Sequence, residues 1–462
     1  MNDQARPDAA DHPIAPDVPL RWADRLKAVR EFNTGLERIR DAGGPVTMVR
    51  LGPRRLTPQF AIVTSPQGAH DVLAASDGQF DKEMVVHVEN RHFGDNLFNL
   101  PHQRWLGRRR TLQPVFTKKH VTEYAGHMAD AAQTLATDML ARRRVDLDAE
   151  LRRMTLRVIG RSAFGLDLGD RADELALPIN QLLNWNTKRA LNPLRAPIWL
   201  PTPQRRRGRR ALQVLRTVIE EAIETADRDP SHEADLIRQL WEATDPATGQ
   251  QLTTDQIRDE LMVFLLAGHD TTSTTLTYAL WALGRDPELQ DRVAAEAEAL
   301  GDRPLEVSDV ERLPLTVRVL HEAMRLCPPA PAIGRLAMRD VVVDGHRIPA
   351  GTNVIVGCYA LHRDPALWED PDRFDADRFT PERSEGRSRW QYLPFGAGPR
   401  SCIGDHFAML EATLGLATIA RAVRVESLSD DFPFALPFTM TAGGPIMVDV
   451  SARARAGTSA AV

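Results

Sequence analysis

Apolar residues recur at helical spacing over most of the chain. From about residue 67 to residue 325 this pattern predicts a series of amphipathic helices, interrupted by loops rich in Pro, Gly and Asn at 94–101, 192–204 and 227–232. One helical stretch runs from about 254 to 284 and contains the apolar run LMVFLL.

Shorter segments with strand character flank this helical part. Residues 45–64 contain two β-rich pieces, which predict a small sheet near the N-terminus. Residues 341–351, VVVDGHRIPAG, predict a hairpin that turns at the Asp-Gly pair, and further short strands are expected around 434–450. The predicted fold class is therefore mainly α with small β sheets, and its β-rich parts lie near 45–65 and 335–360.

The remaining segments of the chain differ from these regions in composition and periodicity. Residues 362–400 are rich in Pro, Asp, Arg and aromatic residues without periodicity, and so long an irregular segment in a compact protein usually carries function. A final helix is predicted from about 403 to 421. Residues 1–20 are rich in Pro, Asp and Ala and are predicted to form a flexible tail. Because no repeat or linker divides the remainder, residues 21–462 are predicted to form a single domain.

Composition narrows the class of protein. The 462 residues carry a formal net charge of −5 and 43% of them are apolar, which predicts a soluble globular protein and gives no basic field for nucleic acid. An arginine cluster at 205–210 lacks interleaved aromatic residues and is predicted to be a solvated helix start. No apolar run approaches the roughly 18 residues of a membrane span, and no secretory signal is recognisable. Three scattered cysteines do not form a disulfide framework, so a cytoplasmic protein without a membrane anchor is expected.

Residues 395–404, FGAGPRSCIG, connect a glycine-rich loop to the final helix. A cysteine at a helix start meets free backbone N–H groups and the positive end of the helix dipole, which stabilise a thiolate. The glycines let the backbone pass close to something flat and bulky. Because such a thiolate is a good axial ligand for haem iron, Cys402 is the candidate ligand. A phosphate-binding loop is excluded because no strand in a βαβ context precedes it.

Residues 265–275, LLAGHDTTSTT, place a glycine and several hydroxyls inside the long helical stretch. Gly268 costs roughly 1 kcal/mol relative to alanine in a helix interior, and such local conflict often marks a functional site. A hydroxyl diverted from the preceding turn would open a groove for a small ligand such as O₂. Asp270 and Thr271 supply an acid and an alcohol suited to relaying protons. A helix with an inert polar stripe is the competing interpretation.

Two other pairs combine complementary groups at helical spacing. Glu322 and Arg325 share one helix face and can pair, although most such pairs are surface salt bridges of little consequence. The prolines that soon end this helix favour a structural role. Trp105 and Arg109 present an indole N–H and a guanidinium on one face, which suits a ligand carboxylate. A basic surface helix is the alternative for this second pair.

Together and in this order, these stretches resemble the cytochrome P450 superfamily of haem-thiolate monooxygenases, from about 45 to 450. The resemblance implies a P450-like fold in which haem b lies between the long central helix and the cysteine loop. Cys402 would be the axial iron ligand, and Phe395 would pack beneath the porphyrin. Gly396 and Gly404 belong to the same haem-binding signature.

The resemblance also assigns roles to the remaining candidates. The oxygen-groove motif corresponds to Ala267, Gly268, Asp270 and Thr271, of which the acid and the alcohol would deliver protons to dioxygen. The cradle of the haem propionates corresponds to Trp105, Arg109, Arg335 and Arg400. The structural triad of the family corresponds to Glu322, Arg325 and Arg378. His269 occupies a variable position and is expected to be a bystander.

The implied reaction inserts one oxygen atom of O₂ into an organic substrate by hydroxylation or epoxidation. The chain carries no flavin or nicotinamide fingerprint, so electrons are expected from a ferredoxin or flavodoxin with its reductase, and NAD(P)H acts only indirectly. Basic side chains that could attract an acidic partner are Arg104, Arg108, Arg110, Lys118 and Lys119.

The substrate is predicted to be a small apolar or amphipathic molecule such as a terpenoid, steroid, fatty acid or polyketide. By analogy, the apolar pocket lining includes Ala330, Ala332, Ile333, Phe438 and Met440. Two other functions stay open. One is a haem-thiolate enzyme that uses peroxide or catalyses isomerisation or coupling. The other is a non-catalytic haem-binding protein, in which the acid and alcohol of the central helix would have no purpose.

Overall fold

The computed structural model describes residues 9–54, 57–82, 94–191, 202–229, 231–232, 235–436 and 439–453. The α-helices of this part are α1 (Trp22–Arg30), α2 (Phe32–Gly43), α3 (Pro66–Leu73), α4 (His102–Leu112), α5 (Lys118–Val121), α6 (Ala125–Arg142), α7 (Leu147–Ile159), α8 (Ala172–Leu191), α9 (Pro203–Arg228), α10 (Asp235–Glu242), α11 (Thr254–Leu283), α12 (Pro287–Glu298), α13 (Pro314–Leu326), α14 (Cys358–Leu361), α15 (Pro381–Ser384) and α16 (Asp405–Ala422). The strands are β1 (Val46–Arg50), β2 (Gln59–Val63), β3 (Phe80–Asp81), β4 (Arg144–Asp146), β5 (Ile333–Ala337), β6 (Val341–Val343), β7 (His346–Ile348), β8 (Asn353–Val356), β9 (Val423–Ser427), β10 (Phe434–Ala435), β11 (Thr441–Ala442) and β12 (Met447–Ala452).

Helix α11 runs through the middle of the protein. It begins with a capping box, in which the Thr253 hydroxyl accepts from the Gln256 N–H at 3.3 Å and the Gln256 side chain accepts from the Thr253 N–H at 3.0 Å. Of its 30 residues, 21 are buried, and a helix buried on nearly all sides belongs in the core. It packs against α7, α13 and α16, so this central helix and the helix that follows the Cys402 loop are neighbours.

The small sheets lie beside this helical core. One sheet has the strand order β1-β2-β8-β5-β3, in which only the β2–β8 pairing is parallel, and a second has the order β4-β12-β9. Strands β6 and β7 form the predicted hairpin, which turns through Asp344 (φ 47°) and Gly345 (φ 75°). The prediction of a mainly α fold with small β sheets is confirmed.

The predicted flexible tail over residues 1–20 is wrong in its second half. Ala15 and Val18 are buried, and their N–H groups donate to the carbonyls of Arg347 at 3.2 Å and Met48 at 2.9 Å. This segment therefore covers the edge of the sheet, and two small apolar residues among prolines were too weak a sequence signal to predict it. Residues 1–8 lie outside the described residues. Across the helices that the structure does describe, none is both long and apolar enough to cross a membrane.

Candidate functional site

The cysteine loop, residues 395–404, leads into α16. Cys402 lies two residues before the N-cap of this helix, Gly404. The shape of the loop depends on Gly396 and Gly398, which have φ of 67° and 72°, and on the Cys402 N–H, which donates to the Phe395 carbonyl at 2.8 Å. Phe395 is half-buried. A Cβ at Gly404 would meet no protein atom within 4 Å, whereas one at Gly398 would lie 1.9 Å from the Leu73 carbonyl oxygen. The fold itself therefore requires a glycine at 398 and not at 404.

Cys402 differs from the other two cysteines because it is exposed, whereas Cys327 and Cys358 are buried. Protein nevertheless surrounds it, and this desolvation raises the pKa of the thiol to about 11, against the opposing effects of the Gly404 N–H and Arg109. The helix start alone does not lower this pKa, contrary to expectation. An accessible but desolvated thiol suits coordination to a metal, whose positive charge replaces the proton.

Trp105 and Arg109 of α4 lie beside this loop. The Trp105 ring is 3% exposed, and its indole N–H has no acceptor among the described residues. Arg109 donates from Nη1 to the Ser401 carbonyl at 3.0 Å and from Nε to Gln113 at 3.3 Å. Burial lowers the pKa of Arg109, while Cys402 and Asp405 act to raise it. Arg109 therefore connects α4 directly to the cysteine loop.

Arg400 stacks on the same tryptophan. Its guanidinium carbon lies 4.5 Å from the centre of the Trp105 ring, and its Nη2 donates to Asp81 at 3.2 Å and to the Leu100 carbonyl at 3.1 Å. Burial lowers the pKa of Arg400 to about 10, with Asp81 opposing. The pairing with Asp81 was not predicted from the sequence. Arg335 is also buried, on strand β5 one residue from the strand partner of Asp81.

This donor set fits haem. The Trp105 indole N–H, the Arg109 Nη2 and the Arg400 Nε have no acceptor within the described part of the chain, and all three lie close to the Cys402 loop. Leaving buried N–H donors without acceptors is costly. A group that carries carboxylates at its edge and a metal at its centre would satisfy these donors and the thiol together.

The accessible positions in the middle of α11 fall on one stripe. Ala267 is exposed and Val263, Gly268 and Thr271 are partly exposed, whereas their neighbours are buried. Positions four residues apart share a helix face, so this stripe borders an open space. A Cβ at Gly268 would lie 3.5 Å from Ile159, an ordinary contact, so packing against the protein does not demand this glycine.

The predicted break in the hydrogen bonding of α11 is wrong. The Thr271 hydroxyl donates to the Ala267 carbonyl at 2.8 Å, one turn earlier, and the Thr275 hydroxyl donates to the Thr271 carbonyl at 3.0 Å. The helix is continuous through this region even though these hydroxyls bond back to carbonyls of the preceding turn. His269 is buried and contacts Thr155 of α7 at 3.0 Å.

Asp270 lies on the buried side of α11, unlike its neighbour Thr271. Arg152 of α7 donates to one carboxylate oxygen of Asp270, and the Thr439 hydroxyl donates to the other. Arg152 also donates to Asp148 at 2.8 Å. A polar cavity of about 340 Å³, whose lining includes Asp148, Arg152 and Asn180, adjoins this network. Arg152 thus links Asp270 to a cavity that reaches the surface.

Glu322, Arg325 and Arg378 form one buried cluster. Arg325 donates from Nε and Nη2 to the two oxygens of Glu322 at 2.7 and 2.8 Å, and Arg378 donates from Nε at 3.2 Å. Their side chains are 0%, 0% and 4% exposed. The alternative of a surface salt bridge is therefore excluded, and the cluster fixes α13 to the irregular segment at 362–400.

The predicted basic surface is largely neutralised. Arg108 is buried and paired with Glu260 of the central helix, while Arg104 pairs with Asp95 at 2.6 Å and Arg110 with Asp245 at 2.8 Å. Sequence patterns gave no sign of these partners, which are distant along the chain. Lys118 and Lys119 are exposed and have no carboxylate partner in the described ranges.

Part of the expected substrate lining is visible. Ala332 and Ile333 are half-buried, and the Met440 N–H donates to the Pro329 carbonyl at 2.8 Å, so these segments adjoin. Phe438 lies outside the described residues. A second cavity, of about 680 Å³, lies between α6 and residues 304–308 and is lined by none of the predicted site residues.

Comparisons with known proteins agree with one another. A family model described as "Cytochrome P450" matches residues 22–444. The chain is 35% identical to cyclooctatin synthase of Streptomyces melanosporofaciens over 84% of each chain. It is 32% identical to cyclooctat-9-en-7-ol 5-monooxygenase of that organism, covering 83% of each, and to pentalenene oxygenase of Streptomyces avermitilis, covering 86% of this chain and 88% of the relative. The haem domain of a cytochrome P450DA mutant matches with a TM-score of 0.79 at 25% identity, over 91% of this chain and 94% of that one.

Proposed function

The chain belongs to the cytochrome P450 family and is a P450 monooxygenase, and we propose that its substrate is a cyclic hydrocarbon of the terpenoid class. The observation that carries this proposal is the set of bacterial relatives. Two of their names specify an unsaturated cyclic alcohol and the alkene pentalenene. The apolar residues Ala332 and Ile333 support it, because they are half-buried and offer contact area without charge.

Haem supplies the iron at which O₂ is reduced and the substrate is oxidised. We propose that the group is haem b and that the Cys402 thiolate would bind its iron. Trp105, Arg109, Arg335 and Arg400 would hold its carboxylates. The burial of the three arginines makes them strong partners for carboxylates, because a charge pair interacts more strongly away from water.

Asp270 and Thr271 are proposed to move protons toward the accessible face of α11. Thr271 places its hydroxyl on the accessible stripe, and Asp270 lies behind it in contact with Arg152 and Thr439. To exchange a proton with Thr271, the Asp270 carboxylate must give up one of these bonds. The polar cavity at Asp148 and Arg152 would resupply protons from solvent.

Electrons are proposed to come from a ferredoxin or flavodoxin with its NAD(P)H-dependent reductase. The test is turnover of a panel of terpenoid hydrocarbons, steroids and fatty acids under ¹⁸O₂ with a ferredoxin, its reductase and NADPH. We expect a spin-state change with terpenoids and a product carrying one ¹⁸O atom. A response only to fatty acids or steroids would contradict the substrate class. Full turnover with peroxide alone, and none with the electron donors, would contradict the O₂-dependent reaction.

Two variants test the assigned residues. Cys402→Ala should abolish the thiolate-type Soret band of the reduced, carbon monoxide-bound protein, and its persistence would exclude Cys402 as the ligand. Asp270→Asn should lower product formed per electron consumed by about 10²-fold, the order expected for loss of a positioned proton donor. Asp255→Asn is the matched control, because Asp255 lies on the same helix with its side chain 82% exposed. Equal yields from the two variants would argue against a role for Asp270.

A further inference from the structure

We infer that the carboxylate of Asp81, which pairs with Arg400, lowers the reduction potential of the haem iron through its negative charge. The inference rests on the proposed haem site but not on the proposed substrate. Asp81 ends the short strand β3, far in sequence from both the cysteine loop and the central helix. No sequence motif singles it out.

The contacts of Asp81 join three parts of the site. Its Oδ1 accepts from Arg400 Nη2 at 3.2 Å and from the Lys82 N–H at 2.7 Å. Both of its carboxylate oxygens accept from the His102 N–H at 3.1 Å, where α4 begins. One carboxylate thus connects the strand, the helix that carries Trp105, and the cysteine loop.

The ion pair is mostly shielded from water. The Arg400 side chain is 9% exposed and that of Asp81 is 13% exposed. Charges in such a position interact strongly with each other and with neighbouring groups, because little solvent screens them. The charge of Asp81 should therefore change the electrostatic potential at the haem site more than the charge of a surface carboxylate would.

Asp81 also determines which donors Arg400 has left. Three of the four Nη hydrogens of Arg400 are used by Asp81 and the Leu100 carbonyl, and the guanidinium lies against Trp105. The Nε–H remains without an acceptor in the described part of the chain. Arg109 contrasts with this arrangement, because its bonds go to the neutral Ser401 carbonyl and the Gln113 amide. Of the two arginines beside Cys402, one is thus compensated by a carboxylate and the other is not.

The consequence for the iron follows from electrostatics. A fixed negative charge near a redox centre stabilises its oxidised, more positive form and lowers its reduction potential. Asp81→Asn removes this charge while its amide oxygen can still accept from the His102 and Lys82 N–H groups. The variant should therefore keep the local fold and have a higher midpoint potential than the wild type.

The experiment measures the midpoint potential of the purified holoenzyme by spectroelectrochemistry, without substrate. Asp77→Asn is the matched control, because Asp77 pairs with Arg339 at 2.7 Å while both side chains are well exposed, 37% and 58%. We expect a clear upward shift in Asp81→Asn, little shift in Asp77→Asn, and a return toward the wild-type value in Asp81→Glu. Equal potentials in Asp81→Asn and Asp77→Asn would overturn the inference and leave Asp81 as a helix cap only.

A second comparison applies if Asp81→Asn does not retain haem. Arg400→Gln should lower the potential, because it removes a positive charge, and adding Asp81→Asn to it should raise the potential again. If the double variant kept the low potential of Arg400→Gln, the charge of Asp81 would not reach the iron and the inference would fail. The carbon monoxide spectrum of each variant separates this result from failure of the haem-thiolate assignment, which would show as a missing thiolate-type Soret band in the wild type.

Discussion

Gly398 lies where the cysteine loop passes closest to another part of the backbone. A Cβ at this position would approach the Leu73 carbonyl oxygen to 1.9 Å, and its φ is 72°. Gly386 has a φ of 73° but no atom within 4 Å of its would-be Cβ. The two glycines therefore separate the effect of backbone conformation from that of a steric clash.

We expect Gly398→Ala to destabilise the protein by about 1–3 kcal/mol more than Gly386→Ala, the usual range for overpacking. Both variants should share the roughly 1–2 kcal/mol cost of placing a side chain in the left-handed region. Urea unfolding followed by circular dichroism measures the difference. Equal losses in the two variants would mean that the loop moves away from Leu73 without cost.

Glu260 should make stability depend on pH. It is buried in α11, accepts from Arg108 and the Leu97 N–H, and burial raises the pKa of its carboxyl from 4.5 to about 7. Because the folded pKa is the higher one, the native state binds more protons between these values. The contribution of Glu260 to stability is thus complete below pH 4.5 and is lost as pH rises to 7.

Comparison with Glu260→Gln isolates this effect, since the glutamine does not titrate. Between pH 4.5 and 7 the unfolding free energy of the wild type should fall relative to the variant by up to about 3 kcal/mol, from 1.36 kcal/mol per pKa unit. Urea titrations of both proteins at several pH values provide the measurement. A constant difference across this window would show that Glu260 titrates alike in the folded and unfolded chains.

At the scale of elements, the cluster of Glu322, Arg325 and Arg378 connects α13 to the irregular segment at 362–400. Glu322 is fully buried and also accepts from the Asp375 N–H at 2.9 Å. Arg325 donates to the carbonyls of His362 and Pro371. One carboxylate therefore holds α13 and this irregular segment together.

Removing that carboxylate should be costly. Glu322→Ala leaves two buried guanidinium groups without their partner, which typically destabilises by about 3–5 kcal/mol. Asp449→Ala breaks the exposed pair with Arg144 and should destabilise the protein far less, because water screens that pair. For both variants we would measure the free energy of unfolding and the fraction of the purified protein that contains haem. Similar small losses would show that the cluster contributes little to holding the segment.

The central helix illustrates what its own sequence can and cannot indicate. Its position, its length and its capping box follow from apolar spacing and from Thr253 and Gln256, so they are readable locally. Its continuity through Thr271 was predicted, but the acceptor of the Thr271 hydroxyl was not, because a hydroxyl can bond either to the preceding turn or elsewhere. The contact between Asp270 and Arg152 depends on how α7 packs against α11, which the sequence of α11 does not show.

At the scale of the whole molecule, charge governs how partners approach. The net charge is −5, yet Lys118 and Lys119 lie exposed at α5 near the helix that carries Trp105 and Arg109. Long-range attraction to an acidic redox protein acts on the rate of encounter and weakens as salt screens it. The arginines that pair with Asp95, Glu260 and Asp245 contribute less, because their charges are compensated.

Charge reversal tests this docking face. Lys118→Glu with Lys119→Glu should slow reduction by an acidic ferredoxin several-fold at low ionic strength and much less at high ionic strength. Arg206→Glu with Arg207→Glu changes the net charge equally at the exposed start of α9 and is the control. Stopped-flow reduction at several salt concentrations gives the rates. Equal slowing by both pairs would indicate an effect of net charge and not of this face.

The sequence by itself determined the helical character, the hairpin at 341–351 and the cysteine loop, because caps, turns and glycine positions act over a few residues. It also determined the family, because the motifs around Cys402, Asp270 and Glu322 occur together in this chain and in the order typical of that family. Tertiary structure alone decided the electrostatic partners. Asp81 with Arg400, Arg152 with Asp270, and Arg108 with Glu260 are separated by 319, 118 and 152 residues. Such pairs produce no periodic pattern in the sequence. Only the packing of the folded chain determines which charged side chains are buried next to each other.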